Sequence, residues 1–452
     1  MIPLIDFQER ALKGPVMKTD EFDMAFAMKV REVVKEHGIE HNLEELLVDD
    51  KTADAVFHAG VDLLADVGLY HLNTQRVVKF TKDEILELVG ERKENPGKAT
   101  FGKGPDEMTI AYRTGNDPRP PTLYAGVGGV ITEEEFGPLA RTFAGERRIE
   151  GMGISGGIEK VGDVQPKAGT LSEIYCGLWE QEQLEKALED VGRPGMNLGL
   201  LCTVSTVGAT LHCMSAGFRT RHNTQIGIHI VPEQKIDWDR LLLAKFCHDH
   251  GIVPWQSAMS MIGGFCRHGA DAAVGLVANA LGQLSYGQGP MCSLFPTNLD
   301  GTWATRDCIW AVGAAARASE RNVRLAIGSA VVSSYQWGGT VVGTLQEAVE
   351  ALAYTASGFT YAWIAGPSPR AAVMVGDLMA AAAEMGPEKA ADLAGKVMTR
   401  VDELAKQDQP RTGLVTFNDV YDLKKMEPRP EYTEALDRAQ EELSGLGVPL
   451  RS

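Results

Sequence analysis

Met291-Cys292-Ser293-Leu294-Phe295 is a short apolar run that stops at Pro296. The helix formers Ala311 to Ala318 follow, and a second apolar run then spans Arg324 to Ile327. A buried strand, a helix and another buried strand form the unit of a parallel sheet, because parallel strands need a crossover to return to the same edge. The unit recurs in both directions. Apolar runs ending in Gly, Ser, Thr or Pro occupy 123–130, 149–154, 196–204, 224–230, 252–256, 291–295, 324–327 and 359–364. Most start near the interval of about 30 residues expected of βα units. Helix signals lie between them. Thr132, Thr170 and Thr344 each stand three residues before a Glu, the capping-box pattern. Ala278-Asn279-Ala280-Leu281 supplies further helix formers. Eight buried strands alternating with helices predict an α/β chain closed into a (β/α)8 TIM barrel. An open doubly wound sheet is the rival; periodicity does not separate the two, and the count of eight favours closure.

The flanks read differently. Residues 1–121 are an expected helical extension with one small hairpin. Val56, Gly60, Leu63, Leu64 and Val67 repeat at helical spacing, and Thr81 is a plausible N-cap for a helix opening at Lys82. The hairpin is expected from Phe101-Gly102-Lys103-Gly104 and Thr109 to Arg113, before Gly115 to Pro121 breaks the pattern. Residues 122–386 hold the expected barrel. Residues 387–452 read as C-terminal helices around a turn at Pro428 to Pro430, packed outside it.

Of the 452 residues, 44% are hydrophobic and 23% charged, an ordinary soluble composition. A formal net charge of -17 argues against nucleic-acid and anionic-membrane partners, which need clustered Lys and Arg. No run reaches the roughly 18 apolar residues of a membrane helix. Met1 to Arg10 carries Asp6, Glu9 and Arg10 and lacks a signal-peptide core, so a cytoplasmic location is expected. The seven cysteines are odd in number and form no C-x-x-C pair, which reads as reduced thiols.

In a barrel of this type, chemistry belongs at the C-terminal ends of the strands. Strand placement puts Gly126, Gly128, Ser155, Ser205, His229, Gln256, Pro296, Asn298, Asp300, Ser329 and Gln336 there. Gly151 to Gly157 contains a G-x-G-x-x-G match, but no helix opens at once to face a pyrophosphate, so a Gly-rich loop over the mouth is the better reading. Cys247-His248-Asp249-His250 closes a helix before Gly251; histidines there suit the helix dipole and cap, at the face away from the chemistry. Cys266-Arg267-His268 lies on the correct face, but no second pair at zinc spacing accompanies it. His229 either orients a substrate and shuttles a proton, or is a hydrogen-bonded barrel histidine; both readings stay open. Trp255, Trp303, Tyr335, Trp337 and Trp363 stand at or near strand ends, where an aromatic face can hold a quaternary ammonium.

Several stretches in one order carry a resemblance. They are Phe57-His58-Ala59-Gly60-Val61-Asp62-Leu63-Leu64, Val67-Gly68-Leu69-Tyr70, Arg76 to Ile85, Gly192-Arg193-Pro194-Gly195-Met196, Lys235-Ile236-Asp237, Thr355-Ala356-Ser357-Gly358 and Val420-Tyr421-Asp422-Leu423-Lys424. Together, from about residue 40 to the C-terminus, the chain resembles the monomethylamine methyltransferases of methanogens. The resemblance implies a barrel, a homo-oligomer, and methyl transfer to cob(I)alamin carried on a separate corrinoid protein. It also implies a pyrrolysine whose imine captures the amine. In the corresponding stretch, Val207 to Gly217, an ungapped reading puts Ser215 at that position and a one-residue gap puts Met214 there. Neither forms the adduct. The family's acidic pair corresponds to Gly269-Ala270-Asp271, keeping Asp271 at most, and a family glutamine matches Gln336.

The leading expectation is a corrinoid-dependent methyltransferase lacking pyrrolysine, with a small quaternary amine as donor. Its expected catalytic residues are Ser215, His229, Asp271 and Gln336; its expected substrate-binding residues are Trp255, Gln256, Asn298, Asp300 and Trp337. The cobalamin is expected on the partner, and no tightly bound metal is expected. The alternatives are a zinc-dependent relative acting on O- or S-methyl donors, with metal near Cys266 and His268, and a non-catalytic barrel that binds a small cation.

Overall fold

The computed structural model describes residues 2–126, 128–153, 157–366, 368–411 and 415–450. Seven parallel strands form one curved sheet, in the order Gly151–Met152, Thr122–Ala125, Tyr361–Ile364, Ala326–Val331, Met291–Asn298, Pro254–Ile262 and Ile226–Gly227. The gap between the two end strands is bridged by the backbone of Asn197 to Gly199. Met152 N–H donates to Asn197 O, Leu198 N–H to Asn223 O, and Gln225 N–H to Gly199 O, each at 2.9 Å. This eighth stave makes an α/β TIM-type barrel.

The stave is shorter than the strand expected over 196–204. Gly199 turns the chain at φ 58°, a left-handed conformation that ends the ladder. Beyond it, carboxylates on the Leu171–Asp190 helix hold the backbone instead: Glu180 accepts from Thr203 N–H, and Glu173 from Ser205 and Thr206 N–H. Other strands run longer than expected. The 252–256 run extends to Pro254–Ile262 because Ser257 and Ser260 are buried in it.

Caps follow the sequence in part. Thr81 and Thr132 close capping boxes with Glu84 and Glu135. The helix after Thr170 opens at Leu171, but no side-chain cap bond forms and Glu173 reaches Gly169, Ser205 and Thr206. The box expected at Thr344 is a misplacement. That helix, Val341–Ala356, opens four residues earlier on Thr340, whose hydroxyl accepts from Gly343 N–H.

The barrel interior is filled by large rings set beside glycines. A Cβ on Gly151 would sit 2.5 Å from the Tyr124 ring, and one on Gly328 2.5 Å from the Tyr361 ring. The bottom is plugged by the hairpin of Lys98–Phe101 and Met108–Ala111. Its Phe101, Met108 and Ile110 pack with Met291, Ala326 and Trp255. Outside, every residue of the Gly269–Gly287 and Val341–Ala356 helices is buried. The first lies under the N-terminal helices Thr19–Glu36 and Asp50–Val67, the second under Pro387–Leu404 and Pro430–Gly445. Among the described residues, no helix is long and apolar enough to cross a membrane.

Candidate functional site

Side chains alternate along a strand, so Trp255, Ser257 and Met259 of Pro254–Ile262 share one face and point into the barrel. At the C-terminal end they line a cavity of about 170 Å³. Phe295 and Trp363 close its other side, and Leu200, Cys202 and His229 complete the wall with Gly153. None of these described residues carries a carboxylate, an ammonium or a guanidinium group. The rings are held in place. Trp363 Nε1–H donates to Gly153 O at 2.7 Å, and a Cβ on Gly153 would lie 2.7 Å from the indole. Phe295 meets Trp363 edge-on at 6.4 Å, and Trp255 meets Tyr124 and Tyr361 in the same manner at 5.9 and 6.2 Å.

The histidine of the wall is neutral. Burial, aided by the Arg240 guanidinium, pushes the His229 imidazole down to about 4. Its backbone carbonyl accepts from Arg240 Nε–H, while its Nδ1 is buried without a protein partner. The Ser257 hydroxyl is likewise buried and unpartnered. Burial raises the Cys202 thiol, with Glu180 adding to the rise, so the sulfur is a thiol and not a thiolate. Behind it, Glu180 and Arg219 lie 3.9 Å apart, both nearly inaccessible. Burial pulls each toward its neutral form.

The expected site residues fall into three places. His229 and Trp255 line the cavity. Asn298 ends the Met291–Asn298 strand, and Asp300, Gln336 and Trp337 lie in the connections beyond the strand ends. Asn298 donates to Thr302 and Thr305 hydroxyls, exposed Asp300 accepts from Thr302, and the Gln336 amide oxygen has no partner. Trp337 is buried in the main core. The rest lie elsewhere. Gln256 points out of the barrel toward Gly287 and Gly289, the alternation that sends Trp255 inward. Asp271 sits in the first turn of its helix, paired to Arg267 at 2.8 and 3.0 Å, which holds its carboxyl low against the cost of burial. Ser215 is exposed at the end of the Val207–Ser215 helix, its hydroxyl donating to His212 O at 2.6 Å. Ser155 lies outside the described residues, as does the centre of the Gly-rich loop.

Cys202, Ser257, Met259 and Phe295 had no part in the sequence-based site. A signal exists for two of them: Trp255, Ser257 and Met259 alternate, but the apolar run at 252–256 stops short of Ser257 and Met259. Among the described residues no three His, Cys, Asp or Glu side chains are grouped to hold a metal. Cys266 is buried, and His268 stacks on His41 at 5.0 Å.

Comparisons agree over the whole chain. A family model described as monomethylamine methyltransferase MtmB matches residues 2–448. The monomethylamine methyltransferase MtmB of Methanosarcina mazei is 24% identical over 458 aligned positions, covering 98% of this chain and 97% of the relative. MtmB2 of Methanosarcina acetivorans is 23% identical, with the same coverage. The crystal structure of Methanosarcina barkeri MtmB superposes with a TM-score of 0.89 at 22% identity, covering 99% of this chain and 98% of that one. An MtmB structure with hydroxylamine superposes equally well.

Proposed function

Because the chain belongs to the monomethylamine methyltransferase family, a family of transferases, we propose that it moves a methyl group from a small quaternary N-methyl compound to a corrinoid carried by a partner protein. The observation that carries the donor class is the cavity wall: aromatic rings and neutral polar groups, with no charged side chain. A quaternary ammonium has no N–H to satisfy. It is attracted by the faces of Trp255, Trp363 and Phe295, each worth about 0.5–2 kcal/mol when water is excluded. A methylammonium ion would bring three N–H donors that need acceptors, and burying them unpaired is costly.

The same choice solves the leaving-group problem. The C–N electron pair departs with nitrogen as a neutral tertiary amine, so no proton has to be delivered. That suits His229, whose imidazole is neutral near pH 7 and lacks the acidic proton of an imidazolium. When bound, the corrinoid partner supplies the nucleophile. The loops at the strand ends suit such an approach, with Val130, Leu299 and Tyr335 exposed there. In this reading the chain's own residues position the donor and exclude water, the two contributions available when the nucleophile comes from outside.

The test mixes purified protein with cob(I)alamin and a set of donors, and follows the absorbance change of cobalt methylation. Quaternary N-methyl compounds should react and methylamine should not. Turnover of methylamine, or of methoxy or methylthio donors alone, would refute the assignment.

A further inference from the structure

We infer that the donor carries an uncharged hydroxyl group, bound low on the cavity wall by Ser257, with its methylated nitrogen above it among Phe295 and Trp363. This rests on the quaternary-amine reading and narrows it.

The chemistry of the lining changes along the strand. Ser257 and Ser293 are register partners on adjacent strands and face the same side of the sheet. The Ser293 hydroxyl is satisfied by Tyr361 Oη at 2.7 Å. The Ser257 hydroxyl is not; the side chain is 1% exposed, faces the barrel interior, and has no partner for its oxygen. A buried hydroxyl without a partner is costly, and a ligand group that meets it is favoured by the same amount. His229 adds a second neutral polar group to the same wall.

Further along the same two strands the lining is apolar. Met259 and Phe295 are register partners two residues further along those strands, a rise of about 7 Å along the chain. A two-carbon spacer between a hydroxyl and a quaternary nitrogen fits that separation, because barrel strands tilt and shorten it. The cavity of about 170 Å³ is slightly larger than the roughly 150 Å³ void that holds a benzene ring, so it accepts roughly seven non-hydrogen atoms. With the tail down, the methyl groups face the open C-terminal end, from which a partner approaches.

Charge decides what the tail is. No Lys or Arg among the described residues lines the cavity. Arg240, behind His229, is engaged by the His229 carbonyl and by Asp237. A carboxylate tail would be buried with no cation to meet it, whereas a hydroxyl both gives and accepts one bond.

The test compares three quaternary compounds of graded tail: choline with a hydroxyl, glycine betaine with a carboxylate, and tetramethylammonium with none. Calorimetric Kd values and rates of cob(I)alamin methylation are measured for the full-length protein and for Ser257→Ala. Choline is expected to bind about tenfold or more tightly than either competitor, and Ser257→Ala to collapse that ratio. Ser257→Thr, which keeps the hydroxyl, should restore part of it. Equal binding of all three, preference for the carboxylate, or a ratio unchanged in Ser257→Ala overturns the inference while leaving quaternary-amine transfer standing. Selective, Ser257-dependent binding of choline without methylation of cobalt sustains the inference about recognition and overturns the transfer reading.

Discussion

At the scale of single residues, buried carboxyl groups hold the loops that build the cavity. Glu233 accepts from Met261 N–H at 2.8 Å and from the Ser260 hydroxyl at 3.0 Å, fixing the end of the strand that carries Trp255, Ser257 and Met259. Burial raises its carboxyl to about 7, against the pull of those bonds. The folded protein therefore holds a proton there that the unfolded chain releases near 4.5. That contribution is complete below the unfolded value and is lost as pH rises through about 7. Glu233→Gln removes the titration. It should raise the Tm relative to the parent at pH 8.5, by the equivalent of about 2–3 kcal/mol, and confer no advantage at pH 5. His229 acts in the opposite sense. With its imidazole lowered from 6.5 to about 4, its contribution is present above the unfolded value and is lost as pH falls toward 4. The acid limb should be unchanged in the variant. Calorimetric scans across that range check both limbs, and a Glu233→Gln curve parallel to the parent's would remove the titration argument. Residue chemistry of this kind was only partly legible: His229 and Trp255 could be named because each stands near the end of a run, Ser257 is reached only by continuing the alternation of Trp255 past residue 256, and Cys202 has no pattern that separates it from other core residues.

Elements pack here through small residues that sequence patterns pass over. Gly60 lies mid-helix in Asp50–Val67, where alanine is ordinarily favoured by about 1 kcal/mol. A Cβ at Gly60 would meet Val277 Cγ1 at 2.5 Å and Val277 Cβ at 2.9 Å, and a β-branched side chain in a helix has no free rotamer to yield. Gly60→Ala should therefore destabilise by about 1–3 kcal/mol despite its better propensity. Gly90 in the Lys82–Glu94 helix is the control, since a Cβ there meets nothing within 4 Å. Gly90→Ala should be neutral or stabilising. Urea unfolding of both variants settles the pair; equal effects at the two sites would show that the helices do not approach so closely. Boundaries behaved as local chemistry allows. Thr81 and Thr132 cap their helices as read, because a cap needs only its next three residues. Thr344 did not, because Thr340 offers the same chemistry one turn earlier and burial of Val341–Ala356 favours the longer helix.

At the scale of the whole molecule, both chain ends form an outer layer over the barrel's own helices. Val341–Ala356 is buried on all sides, and Pro387–Leu404 and Pro430–Gly445 cover its outward face. Ending the chain at residue 386 would expose an apolar helix across its length. The truncated protein is expected to aggregate or bind a hydrophobic dye, read by light scattering and dye fluorescence, where the full chain does neither. A soluble, dye-silent truncation would show that the outer layer is dispensable. The sequence by itself determined the repeat of strand and helix, because burial writes a short apolar run for each strand and a cap for most helices. It determined the family too, since ordered motifs survive along the chain at 24% identity. Only the tertiary structure decided closure, which depends on three backbone hydrogen bonds around Asn197 to Gly199, a short part of the run at 196–204. It alone decided the site as well. Inward and outward faces alternate residue by residue, so one position separates Trp255 in the cavity from Gln256 behind the wall, and strands far apart in sequence bring Cys202, Ser257, Phe295 and Trp363 together.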